Sequence, residues 1–218
     1  MGRWIKRVAT ACGALVLVVC IVGFAYMRAL DLDSQPPAGA RSTVADLDFM
    51  RAAVHGSRGR ILAVVTSTSH VPGGERKAGF ELTELARAYY VFQANGYEVD
   101  IASPRGGTPP MRRDDEDMVA TDFAFLNDAG ARRKLAASLR VADVDASRYA
   151  AVYFVGGKGT MFDFPGDPGS QRLVRNVYQR GGVIGAVCHG PAALLDVVLD
   201  DGTPLLRGRR VAAFSNAE

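Results

Sequence analysis

A cysteine and a histidine stand side by side at the end of an apolar run, in the segment GGVIGAVCHGPAALLDVVL at residues 181–199. The run before Cys188 is typical of a buried strand, and the residues after it predict a helix with Pro191 in its first turn. A sharp strand-to-helix turn can hold a nucleophile at the top of a sheet, and the amides of the helix would favour the thiolate. The pattern therefore predicts a nucleophilic cysteine, with a buried structural cysteine as the alternative.

Other groups expected near Cys188 could supply acid–base and anion-binding functions. The ring of His189 can turn toward the same cleft and serve as an acid or a base. Gly156 and Gly157 follow the strand-like run VYFV, and Gly190 follows the histidine, so their N–H groups could bind the oxyanion of a carbonyl substrate. A phosphate loop is the alternative for VGGKGTM, although neither GxGxxG nor a final GK[ST] is present there.

The elements that must position these residues alternate along the chain. Apolar runs predict strands at residues 60–67, 97–104, 149–157, 183–188 and 209–215. Segments with helical spacing predict helices at residues 80–96, 170–182 and 189–199, and one or two helices at residues 121–140. This alternation with short connections predicts an α/β fold with a parallel sheet, and the candidate residues fall at the carboxyl edge of that sheet.

The N-terminal segment differs in kind from the rest of the chain. Residues 1–7 carry three basic side chains, and residues 8–27 carry no charge. A helix of ~20 residues spans the ~30 Å hydrocarbon core of a bilayer. We expect an uncleaved transmembrane helix over 8–27, with residues 1–7 cytoplasmic and the domain outside, because basic residues stay on the cytoplasmic side. A cleaved signal peptide, which would give a secreted or periplasmic protein, is the alternative.

Composition limits the remaining possibilities. Residues 28–58 are predicted to be a linker with a possible short helix, and residues 59–218 to be the folded domain. The net charge of +3 is too small to indicate a nucleic-acid partner. Cys12 and Cys20 lie in the apolar run, so Cys188 has no cysteine within the domain with which to form a disulfide.

Four segments, ELARAYYVFQANGYEVDIASPRGG, VYFVGGKGTMFDFP, AVCHGPAALL and GRRVAAFSNAE, resemble the ThiJ/PfpI family of the class I glutamine amidotransferase-like superfamily. The resemblance covers residues 60–218, and within the family it is most specific to the chaperone and glyoxalase III branch. It implies a flavodoxin-like three-layer sandwich with a mainly parallel sheet. It also implies a nucleophile at Cys188, a histidine at His189 and a glutamate that hydrogen-bonds the cysteine, which maps to Glu84 with Glu81 as its rival.

The resemblance implies a glutathione-independent glyoxalase that acts on small dicarbonyls and converts methylglyoxal to lactate, a detoxification and stress-response activity. No metal or organic cofactor is implied, and relatives commonly form homodimers. The same cysteine turn also supports an amidase, a protease-like hydrolase or a glutamine amidotransferase. A redox sensor or chaperone without turnover is a third alternative.

Three departures from the family pattern bear on the site. Lys158 stands where the family often has a histidine, and Ala88 stands where it has a proline in the first helix. The sequence ends at Glu218, whereas relatives continue, so we expect C-terminal elements of the domain to be missing. Glu218 is the candidate for a third acid behind the histidine.

Overall fold

The computed structural model describes residues 2–29 and 37–214, and the chain separates into two units between Pro37 and Ala38. In the first unit, helix α1 (Gly2–Ala29) contains the apolar run. The helix has 28 residues and contains an 18-residue stretch with a mean hydropathy of 2.6, so it is long and apolar enough to cross a membrane, a criterion that a signal sequence meets equally well. The helix is present, and its membrane anchoring stays a prediction.

A parallel sheet forms the centre of the second unit. Its described strands are β1 (Arg60–Val64), β3 (Glu98–Ser103), β5 (Leu139–Arg140), β6 (Ala151–Phe154) and β7 (Val183–Ala186). They lie in the order β5-β3-β1-β6-β7, and every neighbouring pair is parallel. Two short strands, β2 (Phe80–Glu81) and β4 (Met111–Arg112), pair separately. The predicted α/β fold with a mainly parallel sheet is confirmed.

Helices cover both faces of this sheet. They are α2 (Asp48–Arg51), α3 (Leu82–Ala94), α4 (Ala120–Asn127), α5 (Ala129–Ala136), α6 (Thr160–Asp163) and α7 (Pro168–Gln179). Short 3-10 helices lie at Val44–Asp46, Val141–Asp143, Ala146–Arg148 and Gly190–Leu194. The segment 121–140, predicted as one or two helices, forms two. Asp128 ends α4, and its carboxylate accepts hydrogen bonds from the Gly130 and Ala131 amides in the first turn of α5.

Two apolar clusters fill the spaces on either side of the sheet. Alternate residues of a strand face opposite sides, so Ala63 packs against α3 and α4, whereas Leu62 and Val64 pack against α7. The largest fully buried side chains come from both clusters and include Tyr90, Phe80, Phe125, Phe154 and Phe164. The result is a three-layer arrangement, with helices packed on both faces of the parallel sheet.

Two elements predicted near the C-terminus are wrong. The helix expected at residues 189–199 is only the 3-10 helix Gly190–Leu194, and Leu195, which follows it, is 61% exposed. Without a continuous buried stripe, a longer helix has little tertiary packing to stabilise it. The strand expected from residue 209 does not form within the described residues up to 214, which make no ladder with β7, the edge strand of the sheet.

Candidate active site

Three segments of the second unit meet at the carboxyl edge of the sheet. Glu84 lies in the first turn of α3, Gly156 and Gly157 follow β6, and Cys188 follows β7. Because β6 lies between β1 and β7, the turn after β6 reaches both the start of α3 and the cysteine. The sheet order therefore assembles residues that are more than a hundred positions apart in the chain.

The turn that carries Cys188 is strained. Its φ of +54° makes it the one residue other than glycine with a positive φ among residues 2–29 and 37–214. Val187 still donates to Phe154 O at 3.1 Å, and Gly190 donates to Val187 O at 2.7 Å, which closes the turn immediately after the strand. Such a conformation costs on the order of 1–3 kcal/mol and persists where the surrounding structure enforces it, as at active sites.

The carboxyl group of Glu84 lies beside the Cys188 thiol, close enough for each group to act on the pKa of the other, and its Oε2 accepts the Gly156 N–H at 2.7 Å. Burial raises the pKa of Glu84. Burial also raises the pKa of Cys188, and the negative charge of Glu84 raises it further. Each of the two groups therefore keeps its proton to a higher pH than it would in water.

Two backbone amides oppose these effects at the sulfur. The N–H groups of Gly157 and His189 lie close to the sulfur and lower the pKa of its thiol. Both amides are fixed by tight turns, so they need no rearrangement when negative charge develops beside them. This arrangement can stabilise a thiolate or an anionic oxygen formed next to the sulfur.

The glycines of the turn after β6 are required by its packing. A Cβ on Gly156 would lie 2.6 Å from both Cys188 Cβ and Glu84 Oε2. Gly157 has a φ of +101°, and a Cβ there would lie 2.3 Å from Gly79 O. The absence of side chains at these two positions allows the cysteine and the glutamate to approach each other.

The geometry redistributes the roles predicted for the glycine amides. The Gly156 N–H is bonded to Glu84, and the Gly190 N–H is bonded to Val187 O, so neither amide is directed at a substrate oxygen. A Cβ on Gly190 would meet Phe154 O at 2.4 Å, which explains the glycine there by close packing. The amides of Gly157 and His189 are the ones at the sulfur.

The structure distinguishes the two glutamates considered for the site. Glu84 contacts the cysteine, whereas Glu81 forms an ion pair with Arg112 Nε at 3.4 Å. Glu218, the candidate third acid, lies outside the described residues.

His189 lies beside the cysteine but its ring faces an aromatic neighbour. The imidazole stacks on Phe214, with ring centroids 4.4 Å apart and an interplanar angle of 29°. His189 and Cys188 also line the same cavity, which has a volume of about 430 Å³. Across the described residues, no cluster of three or more His, Cys, Asp or Glu side chains is arranged to hold a metal ion.

Sequence reasoning missed a second polar network next to the glycine turn. Asp163 in α6 accepts hydrogen bonds from Thr66 Oγ1 at 2.8 Å and from the Ser67 amide at 2.7 Å. Burial raises the pKa of Asp163. The network joins the residues that follow β1 to α6, which follows the glycine turn. Gly159 of that turn packs closely on Thr66, because a Cβ on Gly159 would lie 2.7 Å from the Thr66 side chain. The available signal was the acid in TMFDFP, one helical turn beyond the glycines.

Comparisons with known proteins show which proteins this chain is similar to. The sequence profile of the DJ-1/PfpI family, also called ThiJ/PfpI, matches residues 76–217. Glyoxalase 3 of Candida albicans is 30% identical over 167 residues, which are 72% of this chain and 68% of that protein. The probable glutathione-independent glyoxalase SNO4 of Saccharomyces cerevisiae is 34% identical over 149 residues, 63% of this chain and 60% of that protein.

A solved structure shows the same fold. The crystal structure of glyoxalase III from Candida albicans superimposes with a TM-score of 0.62 at 28% identity, over 73% of this chain and 69% of that one. The chain thus spans 60% to 69% of the lengths of these three proteins.

Proposed function

Because this chain belongs to the DJ-1/PfpI family, we propose that it is a cysteine-dependent, glutathione-independent glyoxalase that converts 2-oxoaldehydes such as methylglyoxal to 2-hydroxy acids. The observation that carries the proposal is the placement of Glu84 beside Cys188 at the Gly156 turn, with the cysteine in a strained turn of its own. The relatives named as glyoxalases support this choice of reaction.

The proposed reaction begins at the aldehyde carbon. The Cys188 thiolate forms a C–S bond with that carbon, and the aldehyde oxygen takes up a proton to give a hemithioacetal. The amides of Gly157 and His189 stabilise the negative charge on the oxygen before it is protonated.

Glu84 then moves a proton between the two carbons. Its carboxylate removes the hydrogen from the former aldehyde carbon, an enediol forms, and the same carboxyl returns a proton to the neighbouring carbon. The product is a thioester of a 2-hydroxy acid, which water hydrolyses with release of the thiol. One carbon is oxidised and its neighbour is reduced, so the reaction consumes one water and needs no external oxidant or reductant.

The pKa of Cys188 bears on the redox-sensor alternative. Sensor cysteines are readily oxidised because they have a low pKa and remain thiolates at neutral pH. Burial and the adjacent carboxylate instead raise the pKa of Cys188. A raised pKa favours a Cys188 side chain that rests as a thiol and ionises when its proton passes to Glu84 during turnover.

The test uses the full chain in detergent, with methylglyoxal and no glutathione, and measures lactate by chromatography. We expect the parent to form lactate and Cys188→Ser to form none above background. Glu84→Gln should lose about 10²- to 10⁴-fold in kcat, the usual contribution of a general base.

The matched control is Glu81→Gln, which removes a neighbouring carboxylate that does not contact the cysteine. Its rate should stay within a few-fold of the parent. An unchanged rate with Cys188→Ser would exclude the proposed function, and absence of lactate with the parent would exclude methylglyoxal as its substrate. Ammonia release from glutamine in the same preparation would instead indicate the hydrolase alternative.

A further inference from the structure

The cavity beside Cys188 has an apolar lining. Cys188 and His189 are the polar residues among the described ones that line it. The other lining side chains are apolar and include Met161, Leu195, Leu206, Val211 and Phe214. Such a cavity offers few polar partners to a substrate beyond the atoms that react.

The rim of this cavity exposes large apolar side chains. Leu195 is 61% exposed, Phe214 50% and Met161 43%. A cluster of exposed apolar residues around a concave site is a mark of binding, because each of them is left in contact with water until something covers it. Because the reactive thiol of Cys188 lies in the same cavity, we expect the substrate to occupy it.

The volume of the cavity exceeds the size of the smallest substrate. Methylglyoxal has five non-hydrogen atoms and fills at most roughly 150 Å³, if each atom takes about the ~30 Å³ that a water molecule occupies in the liquid. The cavity has a volume of about 430 Å³. A 2-oxoaldehyde with a phenyl group has ten such atoms and fills roughly 300 Å³ on the same basis.

We infer that the preferred substrates are 2-oxoaldehydes with a bulky apolar substituent, aryl or branched alkyl, on the keto carbon. The substituent occupies the apolar cavity while the aldehyde carbon meets Cys188, and Met161 and Leu195 determine the preference. This inference rests on the proposed glyoxalase function and adds the class of substrate to it.

The test compares methylglyoxal, isopropylglyoxal and phenylglyoxal with the full chain in detergent. The 2-hydroxy acid is measured by chromatography, so that adducts between the aldehydes and arginine side chains are not counted. Burial of one methylene-sized group contributes about fourfold. We therefore expect kcat/KM to rise along the series and to be at least tenfold higher for phenylglyoxal than for methylglyoxal.

Substitutions then test whether the cavity carries this preference. Leu195→Gln and Met161→Gln keep the length of the side chain but make it polar, and each should lower the ratio of the phenylglyoxal to the methylglyoxal kcat/KM at least fivefold. Val91→Gln is the matched control, because Val91 is 47% exposed on α3 and does not line the cavity. Its ratio should equal that of the parent.

The outcomes separate the inference from the function on which it rests. A parent that prefers methylglyoxal, or that shows no preference, would overturn the inference and leave the glyoxalase function standing. A preference that survives both glutamine substitutions would also overturn it, since the cavity would not be its source. No 2-hydroxy acid from any of the three aldehydes would overturn both.

Discussion

Replacement of Gly156 by alanine tests the geometry of the site most directly. The new methyl group would lie 2.6 Å from Cys188 Cβ and 2.6 Å from Glu84 Oε2, whereas ordinary van der Waals contact begins at 3.4 Å. Each of the two groups must therefore move away from the new methyl group by about 0.8 Å, and a misplacement of ~1 Å costs about 10²-fold in rate. The carbonyl oxygen of Val187 would lie 2.8 Å from the same methyl group, so the methyl group cannot avoid these contacts by shifting toward Val187.

We expect Gly156→Ala to lower kcat/KM for methylglyoxal about 100-fold and to destabilise the domain by about 1–3 kcal/mol, the usual cost of overpacking. Initial rates of lactate formation and denaturant unfolding followed by near-ultraviolet circular dichroism measure the two effects. Gly166→Ala is the matched control, because its methyl group would meet nothing within 4 Å. A Gly156→Ala protein that is folded and as active as the parent would refute the proposed contact between the turn and the pair.

Three further changes address the pair, the network beside it and the N-terminal helix. Burial raises the pKa of Glu84 above its ordinary 4.5, so the acidic limb of kcat/KM should lie above that value and should disappear in Glu84→Gln. The same variant should lower the pKa of Cys188, because it removes the negative charge beside the thiol, and iodoacetamide reactivity against pH measures this. Thr66→Val removes the hydroxyl that donates to Asp163 and should cost about 1–3 kcal/mol of unfolding free energy. The parent should stay with membranes after alkaline carbonate extraction, and Leu15→Arg should weaken this retention, since a central arginine costs ~2.5–3.5 kcal/mol.

Each of these has its own control. Unchanged thiol reactivity in Glu84→Gln would contradict the electrostatic coupling of the pair. Thr108→Val serves beside Thr66→Val, because its hydroxyl bonds an exposed carbonyl and its loss should cost below about 1 kcal/mol. A full-length parent in the soluble fraction would contradict the anchor, and a shortened chain would indicate a cleaved signal.

The sheet and its main helices were predictable because their patterns are local. The apolar runs around β1, β3, β6 and β7 and the helical spacing in α3 and α7 depend on residues close together in sequence. The approach of Glu84 to Cys188 came from the family resemblance, since no local pattern shows which face of a helix meets a turn a hundred residues away. The extended helix after Cys188 was wrong because packing, which the sequence does not display, decides whether a first turn continues.

The direction of individual amides was beyond the sequence for a different reason. Gly156 and Gly157 are neighbours of the same residue type, yet the amide of Gly156 donates to Glu84 and the amide of Gly157 acts on the pKa of Cys188. Their roles follow from a φ of +101° at Gly157, a property of the turn and not of the residue type. The Asp163 network was equally hidden, because its partners lie in loops whose contacts depend on the order of the strands.

Because Cys188 has a positive φ, selection for stability and selection for catalytic turnover favour different residues at position 188. Glycine at position 188 would relax the backbone and so favour folding, while it would delete the sulfur on which the chemistry depends. Directed evolution that selects only for thermal stability should therefore favour glycine at this position and give stable proteins without catalytic activity. A screen that also demands product should retain the cysteine and find its stabilising changes elsewhere in the domain.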